Sequence, residues 1–441
     1  MSPADGPVES PGLRRGLGRF DVLALCVNSI VGAGVFALPA VLALEAGHWS
    51  LAVILVAFAV VGCLAMSLAE VSSRYDVTGG PQVYAQRTFG PVAGFTVGWL
   101  FSVSRIASYA LISQVMLDYA AALWPALAPP LPRAAAITVF TIALTTINVR
   151  GVTQGAWTGN LLTIAKMVPL GLIALAGLWY AGWDDLPSAA PREPDGLLNA
   201  MNLALFACVG FDVAAIVSGE MRNPRRDLPV SILGGLAISC LLYLLLMIAC
   251  FGILPDTAAS KLPLTDVAEH FLGSTGATLM AIAAVVSTAG GLAVQMLVSP
   301  RNIFALGEAG DLPRPVAAVH RAFRTPHVAI ILYATLSWIL AITGAFKYLL
   351  AIFVIARMLV YGSTAAALIV LRRREGPAPV AIPGGAAVSV LALAACAALV
   401  ATQSFQAVRD VTIVLAVGFL VRAAVRSRAA RLQSGQGRSS S

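Results

Sequence analysis

Apolar runs of about 20 residues, the length that crosses roughly 30 Å of hydrocarbon, recur from residue 20 to residue 426, with short polar or charged stretches between them. They predict twelve membrane-spanning helices, at 20–45, 50–72, 91–122, 134–149, 155–181, 197–219, 229–254, 275–306, 327–345, 347–371, 385–405 and 409–426. The first run is interrupted near its middle by Asn28-Ser29-Ile30-Val31-Gly32-Ala33-Gly34-Val35-Phe36. A glycine inside a helix costs about 1 kcal/mol relative to alanine, so two of them with only Ala33 between predict a helix that unwinds at mid-membrane depth. The sixth run carries a second interruption, Leu205-Phe206-Ala207-Cys208-Val209-Gly210-Phe211-Asp212. Unwinding releases N–H and C=O groups, which a bilayer tolerates only where protein or a polar cavity receives them. Spans one and six each open one of two successive groups of five. Matching defects in two halves point to an inverted-repeat transporter whose site lies where the halves meet.

Composition agrees with that pattern. Of 441 residues, 59% are hydrophobic and only 11% charged, against about 25% charged in soluble domains, and the mean hydropathy is +0.85. The net charge of +8 would suit a nucleic-acid binder, but its distribution excludes that reading. With a cytoplasmic N-terminus, 21 of the 29 Lys and Arg residues fall in cytoplasmic segments, five on the opposite side and three within spans. The positive-inside rule then places both termini in the cytoplasm, and an odd number of spans would destroy the asymmetry. Residues 1–18 are rich in Pro and Gly, and the first apolar run is too long for a signal-peptide core. All six cysteines lie inside predicted spans, so no disulfide framework is expected.

Between spans two and three, Gly79-Gly80-Pro81-Gln82-Val83-Tyr84-Ala85-Gln86-Arg87-Thr88-Phe89-Gly90 is amphipathic and too short to cross, and predicts an interfacial helix. Gly94 and Gly98 in span three have the spacing that lets helices approach closely. The stretch 255–274 is expected to form a short external lid, and Arg372-Arg373-Arg374 ends span ten. The match of Gly32-x-Gly34-x-x-Ala37 to a dinucleotide fingerprint is spurious, because no strand precedes it and no acid stands about 20 residues on.

Four stretches together resemble the amino acid–polyamine–organocation transporter superfamily, in its bacterial amino acid permease branch. They are Gly32-Ala33-Gly34-Val35-Phe36, the run from Gly79-Gly80 through Tyr84, Arg87 and Phe89-Gly90 to Gly98-Trp99, the sixth-span Phe206 with Gly210-Phe211-Asp212, and Asn223-Pro224-x-Arg226-x-x-Pro229. They occur in the family's order across spans one to seven. Two positions depart from the pattern: Gln82 stands where Tyr is frequent, and Ser299-Pro300-Arg301-Asn302 replaces an uninterrupted Ser-Arg. The resemblance implies an all-α integral membrane fold of 12 helices, a LeuT-like 5+5 inverted repeat with helices 1 and 6 broken. Its parts would be a cytoplasmic tail at 1–18, repeats at 19–182 and 183–374, two peripheral helices at 375–426 and a disordered tail at 427–441. It also implies a plasma-membrane permease working by alternating access.

A zwitterionic amino acid presents a carboxylate and an ammonium, and an unwound helix complements both. Amides at a restarting helix favour an anion, so those of Gly32, Ala33 and Gly34 are the candidate carboxylate site. Carbonyls of Ser29 and Ile30, with those of Phe206, Ala207 and Val209, would accept from the ammonium, as the resemblance also implies. The plainer reading is that Gly32 and Gly34 only allow tight helix crossing. By the resemblance, Phe206 closes over the substrate; otherwise it is a packed aromatic. Phe211 and Asp212 would line the pocket floor, unless Asp212 caps the restarted helix. Lys166 lies at the centre of span five, where a charge is expensive and by default functional. The resemblance gives such a lysine the place of a coupling sodium, with Ser287 and Thr288 as neighbours, and so a part in proton coupling. Its bland alternative is a fixed cation pinning spans one, five and eight. Arg105 and Arg357 have only Asp118 or Asp212 as partners in prospect, and a fixed ion-pair network is the preferred account. No His or Cys grouping has metal-ligand spacing. The expected function is transport of an amino acid, proton-coupled or exchanging, with no cofactor or metal. A shortage of acids near the site favours a neutral amino acid over a polyamine or arginine; a membrane sensor or channel is the alternative of another class.

Overall fold

The computed structural model describes residues 18–75, 80–151, 156–180, 196–216, 221–343 and 345–437. Every element among them is helical. The first span is two helices, α1 (Arg19–Ile30) and α2 (Gly34–Ala46), which turns at Gly47 (φ 54°) into α3 (Ser50–Ser72). The segment expected at the interface is α4 (Pro81–Phe89), set between glycines at 80 and 90 whose positive φ sharpens the turns at its ends. Then follow α5 (Pro91–Leu123), α6 (Pro130–Val149) and α7 (Ala156–Tyr180). The sixth span is again two pieces, α8 (Gly196–Cys208) and α9 (Val213–Ile216). After it come α10 (Pro224–Ile253), α11 (Pro263–Glu308), α12 (His327–Thr343), α13 (Phe346–Glu375), α14 (Gly385–Ala401) and α15 (Phe405–Gly437). Helix α11 is interrupted at Gly273 (φ 60°), so its first part is a short helix in the stretch expected to form a lid.

Among the described residues, seven helical stretches are long and apolar enough to cross a membrane. An eighth is added if the pair Gly385–Ala401 and Phe405–Arg428, bent by 109°, forms one span. Large apolar side chains face outward along these helices, including Ile142, Leu172, Leu241, Leu279, Ile339 and Leu391. On that scale an exposed apolar surface belongs in lipid, and the chain is a multi-pass membrane protein. All six cysteines are free thiols.

The helices pack in two groups. Helices α1, α2, α3, α8, α9 and α10 lie against one another, and α5, α6, α11 and α12 form the second set. Helix α7 touches α1, α10 and α11, while α13 touches α3, α8 and α5, so both bridge the groups. The glycines in α5 serve close packing: a Cβ on Gly94 would stand 2.6 Å from Gln86 Cβ, and one on Gly98 would stand 2.7 Å from Gln82 Oε1, both on α4. At the basic end of the bundle, Arg372 grips Glu70 with two hydrogen bonds of 2.6 Å. Asp311 holds Arg422 (2.7 Å) and Arg426 (2.9 Å) of α15.

The last helix corrects one expectation. It continues to Gly437 rather than giving way to a tail at 427, because residues 419–434 contain neither Gly nor Pro and are rich in the helix formers Ala, Arg and Leu. The N-terminal tail through residue 17, Gly79, the repeat boundary at 182–183 and residues 438–441 lie outside the described residues.

Candidate functional site

The two breaks meet. Residues 31–33 separate α1 from α2, and 209–212 separate α8 from α9. A Cβ on Gly34 would stand 2.5 Å from both Cα and Cβ of Ala207, and one on Gly210 would stand 2.6 Å from the carbonyl carbon and oxygen of Ser29. Only glycine permits that approach, and Gly210 also has φ 141°, a conformation other residues rarely adopt. The hydroxyl of Tyr243, buried on α10, is shared between the carbonyls of Ile30 (2.8 Å) and Ala207 (3.0 Å), one from each break.

Between the breaks lies a cavity of about 60 Å3. From the first break it is lined by Asn28, Ser29, Ile30, Gly32, Ala33 and Gly34, and from the second by Phe206, Val209 and Gly210. Ser287 and Thr288 of α11, Arg105 of α5 and Arg357 of α13 also line it. Phe206 meets Phe353 edge to face at 5.1 Å, and both rings line the cavity. Ala33 and Gly34 open α2, where amides have no acceptor within the helix. The amide of Gly32, in contrast, donates to the Ile30 carbonyl at 2.7 Å.

Lys166 is buried on α7. Its ammonium donates to the carbonyls of Asn28 (2.6 Å) and Val31 (2.5 Å), which the unwinding of the first span leaves available. Thr288 spends its hydroxyl on the α11 backbone, and the Ser287 hydroxyl is buried without a partner among the described residues.

A model of the amino acid permease family matches residues 17–421. The chain belongs to the amino acid permease family. The permease is 29% identical over 442 residues to an uncharacterized transporter of Mycobacterium tuberculosis, an alignment covering 99% of this chain and 97% of that one. It is 29% identical to a serine/threonine exchanger of Bacillus subtilis, over 83% of this chain and 85% of the exchanger. It is 26% identical to a branched-chain amino acid permease of the same organism, over 93% and 92% of the two chains. These relatives are transporters, so the permease is not an enzyme.

Of the residues singled out in its sequence, the permease brings Ser29, Ile30, Gly32, Ala33, Gly34, Phe206, Val209, Ser287 and Thr288 to one cavity. Three stand apart from the lining. Ala207 is covered by Gly34, Phe211 is fully buried and stacked on Tyr361 at 5.1 Å, and Lys166 lies behind the first break. Two of the carbonyls expected to take the ammonium, Ile30 and Ala207, are already engaged by Tyr243. The Asp212 side chain is no cavity floor; it accepts from Arg105, Arg357 and Tyr361, each at 3.0 Å. Asp118, the other acid considered for Arg105, pairs with Arg133 at 2.6 Å.

Sequence reasoning missed Tyr243, and a signal was there to read. It is a lone hydroxyl in Leu241-Leu242-Tyr243-Leu244-Leu245, and a hydroxyl inside a membrane needs a partner.

Proposed function

We propose that this permease is a secondary active amino acid transporter working by alternating access, with the amino acid held between the breaks α1–α2 and α8–α9. The observation that carries the reading is the direct apposition of the two unwound segments around one small cavity. On this reading the amides of Ala33 and Gly34, joined by Gly32 once its turn opens, take the substrate carboxylate. The carbonyls of Ser29, Phe206 and Val209 accept from its ammonium, while those of Ile30 and Ala207 stay with Tyr243. Phe206 and Phe353 are the gate at one end. The twelve-span count, the 5+5 inverted repeat and the placing of both termini in the cytoplasm of the plasma membrane belong to the same proposal. They are supported by the two broken spans packing together within one helix group, and by the arginines near one end of each of α1, α10 and α13.

Lys166 is the proposed proton carrier. Its ammonium supplies the cation that ties together the carbonyls of the first break, so its charge state and the geometry of the substrate site are linked. A proton lost from Lys166 removes the charge from that tie and weakens its hold on the Asn28 and Val31 carbonyls. Two of the three relatives, one named as a serine/threonine exchanger and one as a branched-chain amino acid permease, support an amino acid as cargo without fixing which.

The test is uptake of labelled amino acids by the purified protein in proteoliposomes, with and without an imposed pH gradient. Saturable, pH-driven accumulation is expected. Lys166→Ala is expected to abolish accumulation while exchange across the membrane remains measurable; accumulation that persists in this variant with unchanged pH dependence would remove Lys166 from the coupling step. Flux that never saturates would favour a channel instead.

A further inference from the structure

The charges around the cavity are unbalanced, and that imbalance bears on which amino acid the site takes. Among the described residues, Arg105 and Arg357 are the charged side chains that line it, and no carboxylate does. Both guanidiniums are buried, at 5% and 1% exposure, and they share the single acid Asp212, through Oδ2 at 3.0 Å in each case. One carboxylate offsets one of the two cations. Tyr361 donates to the other oxygen of Asp212, which further occupies the acid without adding negative charge.

Most of the donors on the two guanidiniums have no partner among the described residues. Arg105 donates one side-chain hydrogen bond, and Arg357 donates two, to Asp212 and to the Tyr361 hydroxyl (3.1 Å). The Nε atoms of both are buried without any acceptor. The ring of Phe101 lies against the pair, 5.1 Å from the Arg105 guanidinium carbon and 4.6 Å from that of Arg357. Such contacts soften the cost of a buried cation but satisfy no N–H donor. Removing a charge from water without full compensation is costly, and ionisable groups inside a membrane are by default functional. An arriving carboxylate would supply both the missing charge and the missing acceptors, in the geometry guanidinium favours.

We propose that this permease selects amino acids bearing a second acidic group, with Arg105 and Arg357 as the residues that recognise the side-chain carboxylate. The proposal rests on the reading of the cavity as the transport site. It departs from the neutral substrate that the shortage of acids in the sequence favoured, because the same shortage, seen together with two inward-facing arginines, leaves a positive site rather than a neutral one. It equally disfavours polyamines and cationic amino acids.

Ligand-induced thermal stabilisation of the purified wild-type protein, followed by competition in proteoliposome uptake, tests the proposal with L-aspartate, L-glutamate, L-serine, L-leucine and L-arginine as probes. The acidic pair is expected to act at concentrations at least tenfold below the neutral and basic ones. In Arg105→Gln and Arg357→Gln the acidic-to-neutral preference should fall at least tenfold, with partial recovery in Arg357→Lys, which keeps the charge. Should these variants fail to fold, the wild-type panel decides alone. A neutral or basic amino acid that binds as well as the acids overturns this inference and leaves the permease reading standing. If none of a full amino acid panel stabilises the protein or is carried, it is the permease reading that falls, and this inference with it.

Discussion

Asp212 is where three helices settle their charges. It sits in the gap between α8 and α9, and its carboxylate takes a guanidinium from α5 and another from α13, together with the Tyr361 hydroxyl. Removing one partner from a buried ion pair typically costs about 3–5 kcal/mol, because the remaining charge is left uncompensated. Asp212→Asn keeps the shape and deletes the charge, leaving two buried cations facing a neutral amide. It is expected to destabilise the protein by about that amount, read as a lower midpoint of thermal unfolding in detergent; a wild-type midpoint would mean that the two arginines do not depend on Asp212. The sequence showed that Arg105, Arg357 and Asp212 lie at membrane depth, which is what singles them out. It did not show which acid meets which base, since Asp118 and Asp212 are equally plausible along the chain, and only the folding of α5 beside α8 and α13 separates them.

At the level of the helices, the glycines of the two breaks have different tasks, and their surroundings distinguish them. A Cβ at Gly34 would overlap the backbone and side chain of Ala207, whereas one at Gly32 would meet nothing closer than 3.7 Å. Gly34→Ala must therefore push α2 away from α8, and overpacking of this kind costs about 1–3 kcal/mol. Gly32→Ala should leave stability unchanged or raise it by up to about 1 kcal/mol through a less flexible unfolded chain. Comparing the unfolding midpoints of the two variants checks this; equal losses would mean that α2 and α8 are not in tight contact. The positions of both breaks were legible because glycine and polar residues inside apolar runs are local signals. The short helix α4 was legible for a similar reason, as an amphipathic stretch between glycines. That Gly34 packs on Ala207, or that Tyr243 bridges the breaks, depends on contacts between elements far apart in sequence, which no local pattern encodes. The last helix was misjudged from its polar composition, although its lack of Gly and Pro over 419–434 was the better guide to its length.

For the whole molecule, the arrangement of two helix groups around one cavity raises the question of which side the cavity faces. On the proposed reading the Phe206–Phe353 contact closes one end. Toward the other end the lining continues along Leu25 of α1 and Val298 of α11, and a basic residue stands near each, Arg19 at the start of α1 and Arg301 within α11, three residues beyond Val298. A carrier must present its site to one side at a time, whereas a channel joins both. Val298 is half-buried and sits on the path from that end to the site, so it reports which face communicates with the cavity. In a background with the six native cysteines replaced, Val298→Cys is expected to react with a membrane-impermeant thiol reagent supplied from the Arg-rich face, and far more slowly from the other. A saturating substrate should slow the reaction by occupying the cavity or by shifting the two groups. Comparable labelling from both faces, insensitive to substrate, would mean a continuous path across the membrane, and the alternating-access reading of the two breaks would then give way to a channel.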